Sequence, residues 1–198
     1  MSLILASASA SRRAMLEAAG VAHVAAPAHV DEAGVKAALL AEGADARAIA
    51  DALAELKARK VAAAHPDALV LGSDSIAVLA DGRLLDKPDS RETARAHLEA
   101  MSASRIELVS AAVIVERGAP VWRHVATAPL WVRPLSAAFV ETYLDAEWPA
   151  IAGCVGCFRI EGRGVQLFER LGGDQFTILG MPLLPVLAFL RTRGVMAS

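Results

Sequence analysis

The stretch LILASASASRRAML, residues 3–16, joins a short apolar run to small hydroxyl residues and then to two adjacent arginines. The apolar run predicts a short buried strand, and the residues after it predict a helix from about Ser11 to Ala19. A strand that leads directly into a helix is typical of α/β layered folds. Because a helix N-terminus carries partial positive charge, Arg12 and Arg13 at this position indicate that an anion binds in front of them.

The loop between this predicted strand and helix supplies donors suited to a phosphate group. Ser7, Ser9 and Ser11 offer hydroxyl and backbone N–H groups at a helix start. Arg12 and Arg13 add charge and planar, bidentate donors. In the structural alternative, a serine caps the helix and both arginines are solvated. The local pattern leaves both interpretations open.

Length and composition indicate one domain over residues 1–198, with enough chain for a substantial core. Hydrophobic residues make up 55% of the chain, but much of this is alanine, which favours helix without requiring burial. No stretch approaches the roughly 20 uninterrupted apolar residues of a membrane helix. The N-terminal apolar run is short and precedes its arginines, unlike a secretory signal. We therefore expect a cytoplasmic protein that does not bind membranes.

The charge pattern argues against an extended nucleic acid as partner. The formal net charge is −2, and the 20 basic residues are scattered rather than gathered into a stripe. A small anion held by a few cations is compatible with this distribution.

Strand-like and helix-like segments alternate along the rest of the chain, which predicts a mixed sheet flanked by helices. Helices are predicted over 45–64, after an Asp89-x-x-Glu92 capping box, after a Ser136 cap, and from Pro182. Strands are predicted over 21–26, 68–72, 157–160 and 165–171, with hairpins turning at Asp81-Gly82 and Arg117-Gly118.

Asp74 is a candidate catalytic or metal-binding residue. It lies in VLGSDS, directly after a predicted buried strand and a glycine. Ligands of α/β sheets bind outside the carboxyl ends of strands, where an aspartate can hold Mg²⁺ or accept a proton from water. The alternative is a turn aspartate that bonds its own backbone.

Several other charged residues fall at element ends or in loops. Lys57 lies at the edge of a helix's apolar stripe, and Lys87 lies between a strand and a helix cap, so either could contact a phosphate. Glu161 is in the glycine-flanked loop RIEGRG, where it could bond the edge of a base or face water. Asp31 and Glu32 are either metal ligands or part of a solvated loop.

The two cysteines, Cys154 and Cys157, form a single Cys-x-x-Cys. This spacing is compatible with redox activity or half a zinc site, but the chain has no second cysteine pair. Packing of two small residues is the simpler interpretation.

The candidates are more informative together than alone. Two arginines, two lysines and several carboxylates at element ends fit a polyphosphate chelated by a divalent metal. The anion in front of Arg12 would then be a phosphate chain.

In its sequence motifs the chain resembles the Maf family of nucleoside triphosphate pyrophosphatases. LILASASASRRAML matches the family's opening motif, and VDE, LAELKA, VLGSDSIAVLADGRLLDKP and GRGVQLFERLGGDQFTILGMPL match its later blocks in order. The resemblance implies a mixed, twisted central sheet flanked by helices, with a cleft between two lobes, as in Maf and ITPase-like proteins. It also implies a homodimer that hydrolyses a nucleoside triphosphate to the monophosphate and pyrophosphate.

The family's functional residues carry over onto matching positions. Asp74 would be the catalytic carboxylate, and Asp74 and Glu32 would bind the divalent cation, Mg²⁺ or Mn²⁺. The residues implied to contact the substrate phosphates are Ser7, Ser9, Arg12, Arg13, Lys57 and Lys87.

The branch of the family that acts on 7-methyl-GTP resembles this chain more than the dTTP and UTP branch. The positions implied to set specificity are Ser11, Ser75 and Glu161. Glu161 keeps the 7-methyl-GTP pattern, and a carboxylate suits the N–H donors of a guanine edge. Ser11 stands where that branch usually has tryptophan, and Ser75 replaces a larger amide residue. A wider pocket or a different base is therefore left open.

An alternative from another class is a nucleotide-binding regulator linked to cell division, with little turnover. Such a protein would bind nucleotide without consuming it, whereas the enzyme needs Asp74 and a metal. A weaker alternative is a redox protein that uses Cys154 and Cys157.

Overall fold

A computed structural model describes residues 2–197 of the chain. The strands are β1 (Leu3–Leu5), β2 (Val24–Ala25), β3 (Leu69–Val78), β4 (Leu84–Leu85), β5 (Arg105–Glu116), β6 (Ala119–Val132) and β7 (Phe168–Leu171). The helices are α1 (Ala10–Ala18), α2 (Glu32–Ala41), α3 (Ala46–Ala62), α4 (Arg91–Met101), α5 (Ala137–Glu147), α6 (Gln175–Ile178) and α7 (Leu183–Thr192), and a 3-10 helix covers Arg163–Leu167.

Within the described residues the strands form one seven-stranded sheet in the order β2-β1-β3-β5-β6-β7, and β4 pairs with β3. β1 pairs in parallel with both β2 and β3, with Leu3 opposite Leu69 and Leu5 opposite Leu71. The β3–β4 and β6–β7 pairs are antiparallel. The predicted mixed sheet in an α/β fold is therefore confirmed.

The chain divides into two compact units, each assembled from separate segments. The first unit contains the residues up to Ser75, Ser110–Ala126 and the residues from Phe176 onward. The second contains Ile76–Val109 and Thr127–Gln175. The assignment of 1–198 to a single pyrophosphatase domain stays a prediction.

The core of the first unit forms because apolar side chains from strands and helices face each other. Buried residues of β1, β3 and β5 pack with Met15 and Leu16 of α1 and with Leu183, Val186 and Leu190 of α7. The apolar run that begins α7 therefore belongs to this core. No helix among residues 2–197 is both long enough and apolar enough to span a membrane.

The second unit contains the α4 and α5 pair. Arg95 on α4 donates two hydrogen bonds to the Glu141 carboxylate on α5, through Nε and Nη2. Tyr143 on α5 is buried, and its hydroxyl donates to the Cys157 carbonyl at 3.0 Å. The Arg95 bonds therefore join α4 to α5, and the Tyr143 bond holds Cys157 against α5.

Most predicted elements are present at or near their expected positions. The helix expected from Ser11 runs from Ala10 to Ala18, and Ser136 caps α5 by accepting from the Phe139 N–H at 3.2 Å. The turn at Arg117-Gly118 has φ values of 50° and 77°. Two successive positive φ values give the tight turn that joins twisted antiparallel strands.

Some predictions of local structure were wrong. The solvated-loop alternative is wrong for Glu32, which begins α2, and Asp31 is the N-cap of that helix, because its side chain accepts from the Gly34 N–H at 2.9 Å. Ser90, not Asp89, caps α4, because the Ser90 hydroxyl accepts from the Thr93 N–H at 3.0 Å.

Two strand predictions also need correction. Residues 157–160 form no strand, and residues 163–167 form a 3-10 helix before β7 begins at Phe168. The predicted strand 68–72 is longer than expected, because β3 continues through Asp74 to Val78.

Candidate functional site

The loop after β1 is organised by its own serines. Ser9 is the N-cap of α1, and its hydroxyl accepts from the Arg12 N–H at 3.4 Å. The Ser7 hydroxyl accepts from the Ser9 N–H at 3.2 Å. These bonds satisfy donors that an unsupported helix start leaves without partners. Ser9 therefore caps the helix, as the alternative without a bound phosphate also predicted, and it fixes the path of the chain into Arg12.

Arg12 is buried despite its charge, with 9% of its surface exposed. Its guanidinium donates from Nε to the Gly180 carbonyl at 2.8 Å, from Nη1 to the Ser7 hydroxyl at 3.3 Å, and from Nη2 to the Ser75 hydroxyl at 3.0 Å. Burial lowers the pKa of Arg12, and the negative charges of Asp74 and Glu32 oppose that effect. The guanidinium is the most basic of the protein side chains, and Arg12 keeps its charge.

Arg13 lies on a different face of α1 from Arg12. Its side chain is 56% exposed and pairs with Glu17 at 3.5 Å, one helical turn away. Consecutive residues of a helix point about 100° apart, so one member of an arginine pair can be buried while the other is solvated. The sequence pattern predicts the same role for both arginines, whereas in the structure Arg12 is buried and Arg13 is exposed.

Lys57, Asp74 and Glu32 form a compact charged cluster. Lys57 Nζ lies 2.5 Å from Asp74 Oδ1 and 3.0 Å from Glu32 Oε1. The side chains of Lys57 and Asp74 are 7% and 8% exposed, whereas that of Glu32 is 38% exposed. Two carboxylates from different elements therefore contact one ammonium group. Of the two, Glu32 is the more exposed to solvent.

A glycine allows α3 to approach β3 closely enough to form this cluster. A Cβ atom on Gly72 would lie 2.1 Å from the Ala54 carbonyl oxygen and 2.8 Å from the Ala58 nitrogen, both in α3. Only a residue without a side chain tolerates such a contact. Lys57 lies between those two α3 residues, and Asp74 is two positions beyond the glycine on β3.

Ser75 and four residues that the sequence analysis did not single out complete the surroundings of Arg12; the four are Ser73, Ser110, Thr177 and Gly180. The Gly180 carbonyl accepts from Arg12 Nε and from Ser73 Oγ at 3.1 Å, and Ser75 Oγ lies 3.2 Å from it. Ser110 Oγ lies 2.8 Å from Ser75 Oγ and donates to the Thr177 carbonyl at 2.9 Å. A lone serine inside the apolar run of β5 was the available signal for Ser110, because a buried hydroxyl needs a partner.

The remaining predicted site residues are placed as follows. Ser11 is half-buried in the first turn of α1. Lys87 and Glu161 belong to the second unit, and both are exposed.

The cysteines are poorly suited to redox chemistry. Both are free thiols in the second unit. Burial raises the pKa of Cys157 to about 12 and also raises the pKa of Cys154. Because the thiolate is the reactive form, these positions favour the packing interpretation over the redox one.

The donor set of the cluster fits a hard divalent cation. Residues 2–197 contain no group of three or more histidine, cysteine or acidic side chains that could hold a metal by themselves. Magnesium, however, is commonly held by one or two carboxylates together with substrate phosphates and water. Asp74 and Glu32, which already converge on a common cation, match that requirement.

The first unit thus brings together a buried arginine, a buried lysine, two carboxylates and a serine-rich loop at a helix start. This combination is typical of α/β proteins that bind phosphorylated substrates. A family model described as "Maf-like protein" matches residues 2–193, and the chain belongs to this family. The resemblance noted from the sequence motifs is therefore confirmed at the level of the family.

Relatives of known name cover nearly the whole chain. The chain is 51% identical over 195 residues to "Nucleoside triphosphate pyrophosphatase" from Sphingopyxis alaskensis, which covers 98% of both chains. It is 53% identical over 193 residues to the protein of the same name from Ruegeria pomeroyi, covering 98% of this chain and 96% of that one. It is 48% identical over 195 residues to "Nucleoside triphosphate pyrophosphatase 1" from Jannaschia sp., with 98% of both chains covered. These names specify no base.

Proposed function

We propose that this chain is a nucleoside triphosphate pyrophosphatase, which hydrolyses its substrate to the nucleoside monophosphate and pyrophosphate. Relatives with that name align over nearly their full length at 48% to 53% identity. The observation that carries the proposal is the position of Lys57 between Asp74 and Glu32, in the unit that also holds the buried guanidinium of Arg12.

The two buried cations bind and neutralise the triphosphate. Three of the five guanidinium N–H groups of Arg12 are used by Gly180, Ser7 and Ser75. The remaining two can donate to phosphate oxygens, and Lys57 contributes a point charge. Ser7 and Ser9 line the same loop. Arg13 and Lys87, which are exposed, complete the proposed set of phosphate contacts.

Asp74 is the proposed catalytic carboxylate. A water oxygen attacks the α-phosphorus, and the bond from that phosphorus to the bridging oxygen breaks. Pyrophosphate leaves with the bonding electron pair, and the water proton passes to Asp74 and then to solvent. Transfer of this kind depends on positioning and charge neutralisation more than on covalent help from the protein.

Asp74 and Glu32 would hold a divalent cation, Mg²⁺ or Mn²⁺. When bound, such a cation neutralises charge on the phosphate oxygens. Lys57, within 3.0 Å of both carboxylates, keeps them in place and limits their mutual repulsion.

The preferred base is proposed from the resemblance to the 7-methyl-GTP branch. Glu161 would accept hydrogen bonds from a guanine edge, and Ser11 and Ser75 would be the other specificity positions. Ser11 offers no aromatic face for stacking on a cationic base. We therefore expect 7-methyl-GTP to be hydrolysed with weaker discrimination against unmethylated GTP than a tryptophan at this position would give.

The test is product identification with Mg²⁺ across 7-methyl-GTP, dTTP, UTP, CTP and GTP, with Asp74→Asn as control. We expect monophosphate and pyrophosphate from at least one substrate, and loss of both products in Asp74→Asn. Phosphate release, or turnover that persists in Asp74→Asn, would contradict the proposed reaction. Binding without turnover across the panel would favour a nucleotide-binding regulator instead.

A further inference from the structure

Ser110 is a buried hydroxyl group in an otherwise apolar part of β5. It has 0% exposure, and its neighbours Val109 and Ala111 are also buried. Moving a hydroxyl out of water is unfavourable unless hydrogen bonds replace those it loses. Packing alone does not explain a serine here, because alanine would fill nearly the same volume.

The hydrogen bonds of Ser110 lead to Arg12 through one intermediate residue. Ser110 Oγ contacts Ser75 Oγ at 2.8 Å, and Ser75 Oγ accepts from Arg12 Nη2 at 3.0 Å. Ser110 also lies 2.9 Å from the Thr177 carbonyl, to which it donates. Two successive hydrogen bonds therefore connect Ser110 to the guanidinium.

The number of protons determines the direction of these bonds. A hydroxyl has one proton to donate and two lone pairs to accept with. If Ser110 donates to Thr177, its lone pairs receive the Ser75 proton, and the lone pairs of Ser75 then face Arg12. Without Ser110, the Ser75 proton turns to the Gly180 carbonyl, 3.2 Å away, where Arg12 Nε already donates at 2.8 Å.

We propose that Ser110 is a positioning residue that, through Ser75, orients the Arg12 guanidinium toward the phosphate chain. The inference rests on the proposed function and extends it to a residue with no role in the motifs. Ser110 acts through Ser75 on Arg12, which binds phosphate. Its removal should therefore weaken the binding of a phosphate chain even when that chain carries no base.

The main experiment is a double-mutant cycle of Ser110→Ala and Arg12→Lys. We expect Ser110→Ala to lower kcat/KM about fivefold, the equivalent of one neutral hydrogen bond, for each nucleotide that the wild type hydrolyses. Inhibition by inorganic tripolyphosphate, which has no base, should weaken by the same factor. In the Arg12→Lys background, where Ser75 has no guanidinium to orient, Ser110→Ala should have no further effect.

Ser104→Ala is the control. Ser104 is half-buried, and its hydroxyl donates to the Met101 carbonyl at 2.7 Å in the second unit, outside the residues that surround Arg12. Its loss should lower the melting temperature and leave kcat/KM close to the wild-type value. Thermal unfolding of all variants separates loss of stability from loss of function.

Additive effects in the cycle would overturn the inference, as would unchanged inhibition of Ser110→Ala by tripolyphosphate. If the wild type releases no pyrophosphate from any nucleotide, the proposed function fails. The same cycle is then measured by calorimetry on tripolyphosphate binding. Coupling there supports the positioning role of Ser110, and additivity refutes it.

Discussion

Replacing Gly72 by alanine tests whether the close approach of α3 to β3 forms the charged cluster. The new Cβ would lie 2.1 Å from the Ala54 carbonyl oxygen, whereas ordinary contact begins at 3.4 Å. The Ala54 oxygen is a backbone atom and cannot move aside as a flexible side chain would. Helix α3 must therefore move away from β3 by about 1.3 Å. A shift of that size would take the 2.5 Å contact between Lys57 and Asp74 beyond hydrogen-bond distance.

The expected cost follows from two opposing terms. Overpacking a core destabilises the fold by up to about 3 kcal/mol. Replacing a glycine lowers the conformational entropy of the unfolded chain, which stabilises the fold by at most about 1 kcal/mol. The net loss of about 2 kcal/mol lowers the melting temperature of a chain this size by roughly 4–8 °C. Misplacement of a reacting group by about 1 Å costs on the order of 100-fold in rate. We therefore expect activity to fall far more than stability.

The assays are calorimetric unfolding and the rate of pyrophosphate release at saturating nucleotide with Mg²⁺. Gly153→Ala is the control, because a Cβ there meets nothing within 4 Å and the backbone φ is not positive. It should leave both values near wild type. If Gly72→Ala has the wild-type melting temperature and rate, the close approach does not place Lys57, and the argument fails.

Three further predictions follow from the contacts of buried groups. Lys57→Met leaves the Asp74 carboxylate buried without its cation and should cost about 3–5 kcal/mol of unfolding free energy in a urea titration; an unchanged midpoint would contradict the ion pair. Because burial raises the pKa of Cys157 to about 12, this thiol should resist a thiol reagent at pH 8 in the native protein and react in denaturant, as mass spectrometry of the labelled peptide would report. Burial lowers the pKa of His97 from 6.5, against opposing effects of Asp86 and Asp89, so the unfolded chain binds a proton that the native state does not. Stability should then fall as the pH drops below about 6.5, and His97→Gln should reduce that dependence, whereas an equal dependence in both proteins would assign it to other groups.

The elements that the sequence predicted correctly are those with strong local signals. The apolar run before the serine-rich loop gave β1, the stripe of Ile49 and Leu53 gave α3, and a two-residue turn gave the β5–β6 hairpin. The errors occurred where local signals compete. Asp89 and Ser90 can both cap a helix, and in the structure Ser90 has the extended backbone of the N-cap and accepts from the Thr93 N–H.

The site was predictable in its charged residues but not in their arrangement. Arg12, Lys57, Asp74 and Glu32 were all candidates: Lys57 from the edge of a helix's apolar stripe, Arg12 and Asp74 from the ends of predicted elements, and Glu32 from a predicted loop. The contacts that distinguish Arg12 from Arg13 come from Ser75 and Gly180, which are 63 and 168 residues away from Arg12. No helical or strand periodicity extends over such separations.

Backbone groups explain why the charges meet at the site. Gly180 has a φ of 108°, which residues other than glycine rarely adopt, and its carbonyl oxygen accepts from Arg12 and Ser73. Gly72 lets α3 lie against β3 and brings Lys57 to Asp74. One glycine therefore orients the arginine through its carbonyl group, and the other positions the lysine by the absence of a side chain. Since substitutions at either position act on the geometry of a cation and leave its charge unchanged, they should reduce turnover while the chain keeps the same net charge of −2.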